Sequence, residues 1–175
     1  LDNQKDVEQY AVFPRHYDLD SFPLQVFVGV RRSGKSFLLF QKIRQMLDEG
    51  HSWADMLYLD FEDTRLEGFT SVDFNLILEC HQEMYGKRPV LFFDEMQNID
   101  GWQKFARNLA DKKYSVSITG SNAKMLSKEI MATLGGRYLS KEVYPFSFRE
   151  YLSYMNVPFD ELSLTATESK GRFNL

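Results

Sequence analysis

A glycine-containing loop with a lysine and two serines lies in the stretch VFVGVRRSGKSFLL, Val26 to Leu39. Within it, Gly29–Ser36 fits the pattern G-x-x-x-x-G-K-[ST], whose backbone amides and following helix N-terminus surround phosphate oxygens. In this pattern Lys35 reaches the β and γ phosphates, and the Ser36 hydroxyl ligates Mg²⁺. The loop predicts a nucleotide site whose contacting residues are Gly29, Val30, Arg31, Arg32, Ser33, Gly34, Lys35, Ser36 and Phe37.

A pair of carboxylates in PVLFFDEMQ supplies a second part of such a site. Asp94 and Glu95 follow the apolar run Val90–Phe93, which reads as a buried strand. We expect Asp94 to hold the Mg²⁺ shell, through water, and Glu95 to polarise the water that attacks the γ-phosphate. Two carboxylates after a strand can also merely cap the next segment, but their combination with the loop favours the catalytic interpretation.

A third polar group follows the run Val116–Thr119 in SVSITGSNAKML. Ser121 or Asn122 is predicted to contact the γ-phosphate or the attacking water. Ser and Asn are also preferred at helix N-caps, and the two roles are compatible. We take Asn122 as the candidate catalytic residue of this segment.

Alternating strand and helix patterns must position these groups. Five apolar runs of strand length cover Leu24–Val28, Met56–Phe61, Pro89–Phe93, Tyr114–Thr119 and Tyr138–Tyr144. Helical patterns cover Lys35–Glu49, Val72–Tyr85, Trp102–Lys112, Ala123–Ala132 and Phe148–Met155. Strands that alternate with helices indicate βαβ units. The predicted fold class is α/β, a three-layer sandwich with a mainly parallel five-stranded sheet and helices on both faces.

The composition is that of an ordinary globular domain, with 175 residues, 43% of them hydrophobic and 26% charged. The formal net charge of −4 gives no global basic field, so charge does not predict nucleic-acid binding, although it leaves a local basic face open. The single cysteine, Cys80, fits a reducing compartment, and its apolar neighbours predict a core thiol. No apolar run approaches the ~18 residues of a membrane span, and we expect a cytoplasmic protein.

Five motifs together resemble the prokaryotic AAA-type P-loop ATPases that carry a C-terminal domain of unknown function; in order they are GVRRSGKS, LYLDFEDTRL, FFDEMQNIDGWQKF, SITGSNAKML and LGGRYLSKEVYPFSFREYL. The resemblance covers Leu24 to Leu152. A Glu directly after the metal-site Asp also resembles the additional-strand, catalytic-Glu division of these enzymes. The resemblance implies the P-loop NTPase fold, ATP and Mg²⁺ as cofactors, and a strand between the loop strand and the Asp strand. Within it, we expect Gln97 to orient a water and Trp102 to pack in the core.

We expect the chain to divide into three segments. Residues 1–20 are a polar N-terminal arm laid against the domain, in which Pro14 breaks any long helix. Residues 21–155 are the P-loop ATPase domain. Residues 156–175 are a polar tail, or a truncated linker to a C-terminal partner domain that is not in this chain.

The arginines of these motifs leave alternatives open. The resemblance assigns Arg137 to the γ-phosphate, either in cis or in trans from a neighbouring subunit of a homo-oligomer. The sequence alone favours a surface ion pair for this residue. Arg31 and Arg32 occupy variable loop positions, and we expect one of them to form a structural ion pair with Glu62 or Asp63.

The leading functional hypothesis is Mg-dependent ATP hydrolysis that drives a conformational change in an attached domain or partner. A first alternative is a nucleotide-dependent switch with very slow hydrolysis. A second is a P-loop kinase for a small molecule, although the stretch beyond Met155 offers only Lys170 and Arg172 for an Arg-rich lid. A third is a nucleic-acid-directed motor, for which no basic stripe is visible.

Overall fold

Five short apolar segments form the strands of one sheet in residues 7–121 and 132–158, which are the residues that the computed structural model describes. The strands are β1 Leu24–Gly29, β2 Met56–Asp60, β3 Val90–Asp94, β4 Val116–Ser121 and β5 Leu139–Glu142. Every one overlaps a run predicted from the sequence, with ends shifted by at most two residues.

All neighbouring strands are parallel, in the order β2-β3-β4-β1-β5. This order confirms the α/β fold and the strand expected between the loop strand and the Asp strand, because β4 pairs with both β1 and β3. The register aligns Gly29 with Ser121, and Asp60 with Asp94. Since parallel strands share one direction, the loops that follow β1, β3 and β4 emerge together at one edge of the sheet.

The longer helices in the described ranges are α1 Lys35–Asp48, α2 Asp73–Tyr85, α3 Trp102–Asp111 and α4 Phe148–Tyr154. Local signals set their ends. Gly86 takes a left-handed φ of 66° after α2, as glycine does at many helix ends. Ser147 caps α4 by accepting the Glu150 amide at 3.2 Å, and Glu150 reciprocates in a capping box. The helix predicted over 123–132 lies outside the described residues except for its last residue.

Side chains alternate between two cores, one on each face of the sheet. Leu24, Val26 and Val28 of β1 pack on the face that α2 and α3 cover, whereas Phe27 packs on the opposite face, under α1. The alternation follows from the two-residue period of a strand. Val7 of the N-terminal arm joins the second core. The three-layer arrangement predicted from the sequence is thus confirmed.

The face that α2 buries differs from the prediction at Cys80. This residue, expected to be a core thiol, is exposed, and so is the apolar side chain of Met84. Phe74 and His81 are the buried residues of this helix. At 3.6 residues per turn, Cys80 and Met84 lie roughly 120° and 80° around the helix from Phe74, whereas His81 lies within about 20°. The prediction for Trp102 is confirmed, because this residue is buried at the start of α3.

The described residues up to Pro145 form one compact unit, and the described residues from Phe146 onward belong to a second. The second unit contains α4, where the rings of Phe146 and Tyr154 lie 6.2 Å apart. Among the helices in the described ranges, none has both the length and the apolar character needed to cross a membrane.

Candidate nucleotide site

The predicted phosphate loop leaves β1 at Gly29 and enters α1 at Lys35. A Cβ atom at Gly29 would lie 2.2 Å from the Val143 carbonyl oxygen and 2.6 Å from Ser33 Oγ, so only glycine fits. Gly34 has a left-handed φ of 92°, which glycine adopts without a steric penalty. Both glycines of the motif therefore meet a geometric requirement of the loop.

Lys35 is one of the loop residues whose side chains are buried in the protein rather than exposed to solvent. Its side chain is 4% exposed, and Nζ lies 3.4 Å from both the Val30 carbonyl oxygen and Glu95 Oε1. Lys35 and Glu95 were both predicted to act at the site, and the fold brings them into contact. A buried ammonium at the centre of the loop is placed to meet phosphate oxygens.

Asp94 is the most buried carboxylate of the site, with 2% exposure. It accepts hydrogen bonds from Tyr58 Oη at 3.0 Å and from the hydroxyls of Thr119 and Ser36. The pKa of Asp94 is raised to about 6: burial raises it most, the Thr119 and Ser36 hydroxyls oppose this rise, and the Asp60 charge adds to it. Ser36 and Asp94 together present the oxygen donors that Mg²⁺ prefers, so the predicted pair fits that ion.

Glu95 follows Asp94 in a left-handed conformation, with φ 50°. Its backbone N–H donates to Thr119 Oγ1 at 2.9 Å, and its Oε2 accepts from Gln97 Nε2 at 2.6 Å. The side-chain oxygen of Gln97, Oε1, accepts in turn from the Ser121 N–H at 3.2 Å. Gln97 therefore links the carboxylate to the end of β4, the strand predicted to carry the third polar group.

Two other predicted site residues, Asn122 and Arg137, are not found beside Lys35 and Glu95 in the described ranges. Asn122 lies outside these ranges. Arg137 donates from Nε to Asp111 Oδ1 at 2.6 Å. Arg137 precedes β5 and Asp111 ends α3, so both lie near the starts of strands, at the edge of the sheet opposite the loop. The structure does not bring Arg137 to the other site residues of its own chain.

The ion pair expected at the loop is confirmed for Arg31, whose Nη2 lies 3.3 Å from Glu62 Oε1. Both side chains are more than half exposed, so the pair contributes little to stability. Arg32 has a positive φ of 64°, which is uncommon for a residue with a Cβ atom.

Three residues that contact the site were not singled out from the sequence. Tyr58 and Thr119 reach Asp94 from the neighbouring strands β2 and β4. The available signal for Thr119 was a hydroxyl near the carboxyl end of a predicted strand that neighbours the Asp strand. Arg15, from the N-terminal arm, donates from Nη1 to the Ser33 carbonyl oxygen at 3.0 Å. No motif marks Arg15, because its position depends on the path of the arm.

A cleft of about 410 Å³ opens beside Ser36 and Asp94, toward the end of β2. The rings of Tyr10 and Phe37 line one part of it, and Asp60 is among the carboxylates that line another. Phe37, predicted to contact the nucleotide, therefore lies at the boundary between the loop and this cleft.

A parallel sheet in this order, with the loop after β1 and an acidic pair after β3, defines a P-loop NTPase of the additional-strand type. Residues 21–152 match the model of a family described as an AAA domain, and the chain belongs to this family of AAA-type ATPases. Family and fold together support a nucleotide-binding domain.

Relatives and solved structures agree with this assignment. An uncharacterized protein of Methanocaldococcus jannaschii is 38% identical over 89% of this chain and 34% of its own length. An uncharacterized protein of Haemophilus influenzae is 37% identical over 77% of this chain and 34% of its own length. AMPPCP-bound DnaA from Aquifex aeolicus shares the fold, with a TM-score of 0.50 and 16% identity over 81% of this chain and 48% of DnaA. The chain thus spans about a third of the length of the curated relatives it matches.

Proposed function

We propose that the chain binds Mg·ATP at Gly29–Ser36 and hydrolyses it. The observation that carries this proposal is the convergence of Lys35, Ser36, Asp94 and Glu95 at one edge of the sheet. These residues come from two separate segments, and each has the chemistry that phosphoryl transfer to water requires.

The residues of the chain divide the work in this proposal. The loop amides and Lys35 bind the phosphates, while Ser36 and Asp94 hold the metal ion. Mg²⁺, when bound, neutralises charge on the β and γ phosphates. Glu95 takes the proton of the attacking water, and Gln97 holds the Glu95 carboxylate at 2.6 Å. Phosphate binding by Lys35 would compete with its contact to Glu95, which would free the carboxylate for the water.

We further propose that the nucleotide state is coupled to an attached domain or a protein partner in the cytoplasm. The short span of this chain relative to its relatives leaves room for such a domain. The division into arm 1–20, ATPase domain 21–155 and linker 156–175 belongs to the same proposal.

A second candidate function is a nucleotide switch with little hydrolysis of its own. The position of Arg137, paired with Asp111 at the opposite edge of the sheet, favours it. A site that lacks a transition-state arginine in cis hydrolyses slowly until one arrives in trans.

Hydrolysis by the wild type, Glu95→Gln and Lys35→Ala tests the proposal. We expect Glu95→Gln to bind a fluorescent ATP analogue within threefold of the wild type and to lose at least 100-fold in single-turnover hydrolysis. Lys35→Ala should lose affinity, because it removes the cation of the loop. EDTA should abolish hydrolysis in the wild type.

The two candidate functions give different results in this experiment. Equally slow hydrolysis by the wild type and Glu95→Gln, with tight binding by both, would favour the switch. Absence of ATP binding by the wild type would contradict both.

A further inference from the structure

The N-terminal arm is fixed along α1 by polar contacts to its backbone. Arg44 donates from Nη2 to the carbonyl oxygens of Val7 and Glu8, at 3.3 and 3.0 Å. Nearer the loop, Gln41 accepts from the Arg15 N–H at 2.9 Å and donates to the Arg15 carbonyl oxygen at 3.0 Å. The Gln41 amide therefore satisfies both backbone groups of Arg15, as a neighbouring strand would.

This anchoring delivers the Arg15 guanidinium to the phosphate loop. The side chain is 5% exposed, and Nη1 donates to the Ser33 carbonyl oxygen at 3.0 Å. The guanidinium also lies 5.1 Å from the centre of the Tyr17 ring, within the range of a cation–π contact. Nη1 would be 3.5 Å from a Cβ atom at Gly34, so the group lies directly against the Ser33–Gly34 peptide.

The orientation of this peptide matters for phosphate binding. The bond is trans, because the described residues contain no cis peptide, and in a trans peptide the carbonyl and the following N–H point in opposite directions. A Ser33 carbonyl directed at Arg15 therefore turns the Gly34 N–H away from the arm. Glycine adopts φ angles of either sign at little cost, so Gly34 itself does not hold the peptide in one orientation.

We infer that Arg15 is a positioning residue that holds the Ser33–Gly34 peptide with its N–H turned toward bound phosphate. The inference rests on the proposed nucleotide site. Arg15 contacts the outer side of the loop and acts on the nucleotide through the backbone. It lies outside residues 21–152, so the family match does not include it.

The test compares Arg15→Gln with Arg44→Gln, a matched control that loosens the same arm without touching the loop. In the nucleotide-free chain, we expect Arg15→Gln to raise hydrogen–deuterium exchange of the 33–36 amides at least fivefold over the control. It should also weaken binding of a fluorescent ATP analogue at least tenfold. In hydrolysis, KM should rise while kcat stays within threefold, because the loop holds ground state and transition state alike.

Exchange and affinity within twofold of Arg44→Gln would overturn the inference. If Arg15→Gln does not fold, Gln41→Leu decides in its place, because it removes both anchors of the Arg15 backbone and should shift exchange and affinity in the same direction. If the wild type binds no ATP analogue, the proposed function is wrong. Hydrogen–deuterium exchange of the 33–36 amides in the two variants would still test whether Arg15 orders the loop.

Discussion

At the scale of single residues, burial and hydrogen bonding act in opposite directions on the charge of Asp94. Burial disfavours its charge, while hydroxyls of Tyr58, Thr119 and Ser36 donate to it. Burial and the Asp94 charge raise the pKa of Tyr58, so its hydroxyl keeps its proton and stays a donor. Burial also raises the pKa of Asp60, the register partner of Asp94. A bound cation would stabilise the charged forms of the two carboxylates, Asp94 and Asp60.

We predict that the charge of Asp94 makes the metal-free protein less stable at neutral pH. The folded pKa of about 6 exceeds the unfolded value of 3.8, so the folded protein holds the proton more tightly. Stability therefore falls as pH rises from 3.8 to about 6, and the deficit persists above that window. A shift of about two pKa units corresponds to at most about 3 kcal/mol. Asp94→Asn should thus be more stable than the wild type at pH 7.5, with the gain vanishing near pH 4.

Urea denaturation in EDTA between pH 4 and 8 measures this difference, and the exposed Asp100→Asn serves as the control. A gain for Asp94→Asn that is independent of pH would contradict the assigned cause.

At the scale of elements, the ends of β3 and β4 are joined through one hydroxyl. Thr119 Oγ1 accepts the Glu95 N–H at 2.9 Å and donates to Asp94. Gln97 adds a second link, from Glu95 to the backbone of Ser121. We expect a change in the position of Glu95 to reach the end of β4 through these links, and nucleotide state to reach the rest of the fold by this route.

We predict that Thr119→Val lowers the free energy of unfolding by about 1–3 kcal/mol, because it removes the acceptor of the Glu95 N–H and one of the three hydroxyls that donate to Asp94. The change keeps the side-chain shape, so packing is conserved. Thr119→Ser keeps the hydroxyl and should stay close to the wild type. Urea denaturation of the three proteins measures the effect, and equal stability of the Val and Ser variants would show that the hydroxyl does not join the strands.

At the scale of the whole molecule, the loop and Arg137 lie at opposite edges of the sheet. The six residues of β1 span five intervals of about 3.3 Å, so they separate these edges by roughly 16 Å. Arg137 therefore cannot reach a phosphate on its own loop without leaving its place in the fold. If it acts on a nucleotide, it does so on the site of a second copy.

We predict that Arg137 acts in trans, so that hydrolysis per subunit rises with protein concentration. Arg137→Gln should remove this rise. Asp111→Asn is the matched control, because it breaks the same ion pair and keeps the guanidinium. The pair is exposed, so each change should alter stability by less than about 1 kcal/mol. Steady-state hydrolysis over a range of protein concentrations measures the effect. Identical behaviour of the two variants would contradict a role of Arg137 in trans beyond its ion pair with Asp111.

Features that depend on local chain geometry could be predicted from the amino-acid sequence. The loop, the strand runs and the helix periodicities follow from residue types at fixed spacing, and parallel strands then place Lys35 near Asp94 and Glu95. Contacts that depend on strand register or on the path of a segment were decided only by the tertiary structure. Tyr58 and Thr119 reach Asp94 because β2 and β4 flank it, and Arg15 reaches Ser33 because the arm crosses α1. The exposure of Cys80 has the same origin, since the rotation of α2 against the sheet is set by packing.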